Sequence, residues 1–160
     1  YGRALLDRAE AKARDLGMGG VAMVTGDGVW IAGNELLATC GYEQVDEAPP
    51  SFQLMVKPFN GSPMPAFPTD WEQRAAAFGD GLTIVSTDQC PYLRDAEHQV
   101  IAAAESRGVP VATVTLSSAR EVQERSPSAF GIFGIVLDQR LLRYHYMLEK
   151  DLIAVLTDRT

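Results

Sequence analysis

A single thiol stands where a strand gives way to a helix. The run Ser86-Thr87-Asp88-Gln89-Cys90-Pro91-Tyr92 follows the apolar stretch Leu82-Thr83-Ile84-Val85 and opens a helical pattern from Leu93 to Arg107. A strand, then Cys-Pro, then a helix predicts a thiol at a helix N-terminus. Unpaired backbone N–H groups and the positive end of the macrodipole favour an anion there. Pro91 suits the first turn, where its missing N–H has no bond to make. The chemistry of such a thiol is nucleophilic attack or thiol exchange. A resolving cysteine belongs three positions on, but that position is Leu93, so an oxidised Cys90 has no local partner. The plainer reading of a lone cysteine is a small buried hydrophobe. The strand-to-helix placement weighs toward a functional thiol.

The other reactive side chains offer less. His98 lies two turns into the helix and reads as a surface residue, and His145 sits between two tyrosines, free to face sheet or solvent. Cys40 shares an apolar side with Leu36 and Leu37 and reads as core. Two histidines and two distant cysteines do not supply metal-ligand spacing, so no metal is expected. The formal net charge of −7 argues against a nucleic-acid partner, which calls for a basic face. No apolar run approaches the length of a membrane span. Two widely separated cysteines suggest no disulfide framework, and a reducing cytoplasm is the default location.

These residues need elements to position them. With 46% hydrophobic and 22% charged residues, the 160-residue chain has the composition of a folded globular protein. The four prolines between Pro58 and Pro68 suit neither helix nor central strand and mark a linker. Before it, the pattern predicts a helix over 3–16 with Leu5, Leu6, Ala9, Ala13 and Leu16 on one face, stopped by Gly17. A short strand over 21–24, a helix over 34–40 stopped by Gly41, and a strand over 52–57 follow. Tyr42 reads as a packing residue at a strand start. This first part amounts to about half a domain, and upstream residues are expected to complete it. After the linker come a helix over 71–78, strands over 82–85 and 110–116, and a helix over 119–124 capped by Ser118 with Glu121 at capping-box spacing. A strand over 131–137, a turn at Asp138-Gln139, a strand over 140–146 and a helix over 149–156 complete the series. A parallel pair, an antiparallel hairpin and helices on both faces are the architecture this order implies.

That order, with Cys-Pro after the first strand and a proline before the hairpin, resembles the thioredoxin fold over about residues 80–158. The resemblance implies that Pro127 is cis and packs on the active cysteine. More narrowly, Cys90-Pro91-Tyr92 with Ser126-Pro127-Ser128-Ala129-Phe130-Gly131 and Tyr144-His145-Tyr146 is similar to the YoaP-like domain, which is attached to some acetyltransferases. The opening Tyr1-Gly2-Arg3-Ala4-Leu5-Leu6 resembles the tail of the acetyl-CoA loop of GNAT N-acetyltransferases, whose glycines let backbone N–H groups approach a pyrophosphate. Asn34-Glu35-Leu36-Leu37-Ala38-Thr39-Cys40-Gly41-Tyr42 is similar to that family's Asn-to-Gly-Tyr helix. The resemblance implies cofactor contacts from Gly2, Arg3, Ala4 and Asn34. It often places a proton-donating tyrosine where this chain has Leu37.

The expected fold class is therefore α/β, a partial GNAT fold followed by a thioredoxin-like sandwich. Residues 1–58 form the acetyltransferase part, 59–77 a Pro-rich linker and short helix, and 78–160 the thioredoxin-like, YoaP-like domain. The implied function is N-acetyl transfer from acetyl-CoA to a small-molecule amine. The chain alone is expected to bind CoA weakly, because it holds only the end of the loop. The alternative is a thiol-dependent redox or substrate-binding module with Cys90 as its catalytic residue.

Overall fold

A computed structural model describes residues 1–28 and 31–157. The protein is α/β, and it divides into two compact units, Tyr1–Pro68 and Thr69–Thr160, each with its own sheet. The boundary falls inside the Pro-rich stretch and short helix of 59–77. No described helix is long and apolar enough to cross a membrane.

The first unit runs α1 (Gly2–Asp15), β1 (Gly20–Gly26), α2 (Glu35–Thr39), β2 (Glu43–Ala48) and β3 (Phe52–Pro58). Its sheet has the order β1-β3-β2, with both outer strands antiparallel to β3. As the central strand, β3 buries Phe52, Leu54, Met55 and Val56. The sequence pattern predicts no strand at β2, because Glu43-Gln44-Val45-Asp46-Glu47-Ala48 does not alternate apolar and polar residues. It forms as an edge strand, bulged between Gln44 and Asp46, where charges are tolerated. Its Asp46 carboxylate accepts the Phe67 N–H at 2.8 Å, and the Phe59 N–H reaches Gly19 O at 2.8 Å. The proline-rich stretch is therefore bonded back onto this unit.

Gly17 ends α1 with a positive φ of 69°. The Met18 N–H returns to Ala13 O and the Gly17 N–H to Arg14 O, the paired bonds of a Schellman cap. The inward face of α1 differs from the expected one. Leu5 and Leu16 are 69% and 57% exposed, whereas Glu10 is buried. The face that packs runs through Leu6, Glu10 and Ala13. A carboxylate can be buried there because Lys57 Nζ lies 2.9 Å from its Oε1 and 2.8 Å from its Oε2. The same ammonium donates to Cys40 O at 2.8 Å.

Tyr42 closes this cluster beneath Leu37 and Met55. Its buried hydroxyl makes no hydrogen bond of good geometry, although the Glu10 carboxylate lies beside it. Burial, and then the charge of Glu10, push its pKa up to about 12.

The second unit runs α3 (Trp71–Ala76), β4 (Leu82–Ser86), α4 (Leu93–Glu105), β5 (Val111–Thr115), α5 (Ala119–Arg125), β6 (Phe133–Leu137), β7 (Arg140–Arg143) and α6 (Glu149–Thr157). The sheet order is β5-β4-β6-β7. Strand β5 is parallel to β4, β6 is antiparallel to it, and β7 returns antiparallel to β6. All five residues of β4 are buried, because helices cover both faces of the sheet. Leu82, Ile84, Phe133 and Ile135 pack with Val100 of α4 and Leu152 and Leu156 of α6. Val85 and Val136 pack the other way, with Ala75 of α3, Leu116 and Val122 of α5. The hairpin turns at Asp138 and Gln139, both at positive φ (45° and 68°), as a two-residue primed turn requires. Ser118 caps α5, accepting the Glu121 N–H at 3.2 Å. The Glu121 carboxylate returns to the Ser117 N–H at 2.6 Å.

Two outcomes follow in the first unit. The folded state holds the Tyr42 proton above the ordinary value of 10.0, so this contribution to stability is intact below pH 10 and is lost as pH rises toward about 12. Urea denaturation of Tyr42→Phe should lose that part of the alkaline decline, with a change of about 1 kcal/mol or less at neutral pH. Lys57→Met leaves the buried Glu10 carboxylate with Arg14 at 3.7 Å and should cost about 1–3 kcal/mol in the same assay.

Candidate functional site

The start of α1 lies against α2. A Cβ built on Gly2 would meet Leu36 Cδ2 at 2.7 Å, so a glycine there allows this close approach. Arg3 reaches across to the Thr39 carbonyl at 3.3 Å. The first α-helical bond of α1 runs from Leu5 N–H to Tyr1 O. The N–H groups of Gly2, Arg3 and Ala4 therefore have no partner within the helix. The first turn carries no acidic residue and one cation, Arg3. A first turn with free donors, a cation and exposed backbone fits a phosphate group.

Asn34 is the N-cap residue of α2, but its side chain does not cap the helix. It donates to Gln53 Oε1 of β3 at 2.8 Å, and Thr25 Oγ1 of β1 lies 3.5 Å from the same atom. The four candidate cofactor residues thus sit on two touching helices, with Asn34 held by the sheet. Leu37 is buried with Tyr42 and Met55.

In the second unit, Cys90 is half-buried, but it does not occupy a helix terminus. Helix α4 begins at Leu93 with Tyr92 as its N-cap residue. Asp88-Gln89 and Pro91-Tyr92 form turns ahead of it, and Cys90 meets the helix through its carbonyl, which accepts the Leu93 N–H at 3.2 Å. A residue before proline is held out of the helical region, which places Cys90 outside α4. Nor is Pro127 cis. Among the described residues the cis peptide bond joins Pro49 and Pro50. Ser126 is extended (φ −59°, ψ 133°), and its hydroxyl donates to Ser128 O at 2.8 Å and accepts from Ser128 N–H at 3.4 Å. Pro127 packs on Gly134 of β6, where an added Cβ would lie 3.2 Å from its Cγ. His98 is exposed, and His145 sets its ring edge-on to Tyr144 at 4.9 Å. Among the described residues, no three His, Cys, Asp or Glu side chains are grouped to hold a metal ion.

The sequence reading missed a polar pair beside the Cys90 loop. The buried Ser86 hydroxyl, at the end of β4, donates to Glu97 of α4. The Thr87 N–H bonds Ile132 O at 3.0 Å, while the Thr87 and Ser128 hydroxyls are buried without hydrogen-bond partners. The signal lay in the helical stripe Leu93, Ala96, Val100, Ala103 and Ala104. Glu97 falls within it, and an acid on an apolar stripe needs a partner.

The chain is 29% identical over 151 residues to an uncharacterized N-acetyltransferase, YoaP, of Bacillus subtilis (strain 168). The match covers 92% of this chain and 59% of that protein, so the chain spans about three fifths of its relative's length. No protein-family model matches the chain. No solved structure matches it.

The Ser86–Glu97 pair is separable by mutation. Glu97→Ala strands a buried hydroxyl and should cost about 1–3 kcal/mol, and adding Ser86→Ala should recover part of that loss. Urea denaturation of the two single variants and the double variant measures the coupling. A free Glu97→Ala substitution would remove the pair from the core.

Proposed function

We propose that this chain contributes cofactor-binding residues to an N-acetyltransferase that moves acetyl from acetyl-CoA to an amine of a small molecule. The observation that carries the reading is the contact between the first turn of α1 and α2. It brings Gly2, Arg3 and Ala4, with their free N–H groups and one cation, onto the helix that Asn34 begins. The YoaP relative supports the same reaction class. Bound at this turn, acetyl-CoA supplies an activated thioester, and the role of these residues is to hold its phosphates and fix its position. Leu37 supplies no proton, being apolar and buried.

The amine side of the reading rests on charge. An open cavity at the β2–β3 turn is lined by Asp27, Glu47, Ser51 and Gln53 among others. Its carboxylates suit a protonated amine, and Gln53 is also the partner of Asn34. For the second unit we propose a thioredoxin-like, YoaP-type accessory domain. The parallel β4–β5 pair, the β6–β7 hairpin and the helices on both faces support that reading. A cytoplasmic location suits the free thiols of Cys40 and Cys90.

Calorimetric titration of acetyl-CoA into the full-length protein tests the cofactor site. Arg3→Glu should weaken binding about tenfold or more, since it puts a carboxylate beside the phosphates. Arg8→Glu makes the same charge change one turn later on the exposed face and should leave binding within about twofold. Equal affinity in the protein and Arg3→Glu overturns the reading.

A further inference from the structure

Among the described residues the two sheets end in four edge strands, and their chemistry differs. Strand β2 carries Glu43, Asp46 and Glu47 and is bulged. Strand β7 has four residues, arginines at both ends and an irregular register against β6. Charge and irregularity protect such edges from pairing. Strand β1 is uncharged, but Gly26 N–H is already taken by Ala32 O, and Gly19 to Ala22 line a cavity with Ser62 to Pro65 of the proline-rich stretch. Strand β5 has none of these devices. It is regular, β-branched at four of its five positions, and no charged residue lies between Arg107 and Arg120.

The parallel pairing decides which groups of β5 point outward. Leu82 N–H bonds Pro110 O, and Leu116 N–H bonds Ser86 O. The groups of residues 110, 112, 114 and 116 therefore face β4, and those of Val111, Thr113 and Thr115 face away from it. Thr113 and Thr115 are exposed, and Val111 is half-buried.

We infer that two copies of this chain pair through β5, edge to edge and antiparallel about Thr113, joining two four-stranded sheets into one. In this register Thr113 faces Thr113 of the partner copy and Val111 faces Thr115, so all three outward residues are bonded. The occupant is a second copy because the edge is complementary to itself in charge as well as in backbone. A chain of net charge −7 repels its copy over most of its surface but not at this neutral strand. The register also sets Val109 opposite Ser117, where the Glu121 carboxylate is held. Arg107 of one copy, two residues before Val109, then approaches Glu121 of the other, twice by symmetry.

Sedimentation equilibrium across a concentration series tests the pairing. The expected result is a monomer–dimer equilibrium. Thr113→Pro deletes an outward N–H without touching the β4 ladder, and should weaken dimerisation about tenfold or more. Circular dichroism checks that the variant is folded. Thr113→Cys gives an independent readout, because a hydrogen-bonded antiparallel pair spaces its Cα atoms by about 5.5 Å, within disulfide reach. Mild oxidation should link two chains at position 113 by peptide mapping, while Ala22→Cys in β1 should not link at position 22. A monomer at every concentration, a dimer untouched by Thr113→Pro, or a link through position 22 in place of 113 overturns the inference.

Discussion

One ammonium group ties together three elements of the first unit. Lys57 leaves the central strand β3, reaches both oxygens of Glu10 on α1, and also donates to the carbonyl of Cys40 at the end of α2. Its charge compensates a buried carboxylate and satisfies a helix C-terminal carbonyl, where a cation is favourable. Little else on the inward face of α1 is large and apolar, because Leu5 and Leu16 point outward. The position of α1 therefore rests on an ion pair and Leu6, with Arg14 over the Phe59 ring at 3.7 Å and Arg3 on the Thr39 carbonyl. The first turn of that helix carries Gly2, Arg3 and Ala4, so the geometry of the candidate cofactor site follows from the same contact.

The second unit is held by a different force. Its sheet is covered on both faces, and β4 is buried along its whole length. Burial of this kind is stabilising only where polar groups at the strand end find partners. At Ser86 the partner is the Glu97 carboxylate, brought in by α4. Beyond Ser86 the hydroxyls of Thr87 and Ser128 are enclosed without one. Polar character thus gathers at the end of β4 from which the Cys90 loop departs. The thiol stands in that loop ahead of the helix, so the macrodipole does not act on it through a helix-capping contact.

The two units also differ in how they treat their edges. Charges and bulges close β2 and β7, while β5 leaves a row of backbone groups to water. An edge of this kind is a liability in isolation and a template in association. The composition of Val109 to Ala119, free of charge in an acidic chain, is the feature that separates β5 from the other edges.

Much of the α/β framework was legible in the sequence. Local signals wrote it: alternation along Leu82 to Val85, the helical stripe after Leu93, glycine stops at Gly17 and Gly41, the Ser118 cap, and the Asp138-Gln139 turn. Each depends on residues a few positions apart, which share one stretch of backbone. What escaped the sequence depends on partners distant in the chain. Strand β2 is an edge because β3 lies beside it, not because Glu43 to Ala48 favours extension. Glu10 faces inward because Lys57, 47 residues later, neutralises it. Glu97 faces inward because Ser86 meets it. Gly2 is legible as a helix-start glycine, but only tertiary packing sets it on Leu36, and only β3 gives Asn34 its bond to Gln53. Cys90 marks the reverse case. Its type and place suggested a helix cap, and the turns around Pro91 moved the helix start to Leu93. Sequence by itself determined which segments become helix and strand, because that choice is made over a few residues. The tertiary structure decided which polar and charged groups are buried, because a buried charge is tolerable only when the fold delivers its partner.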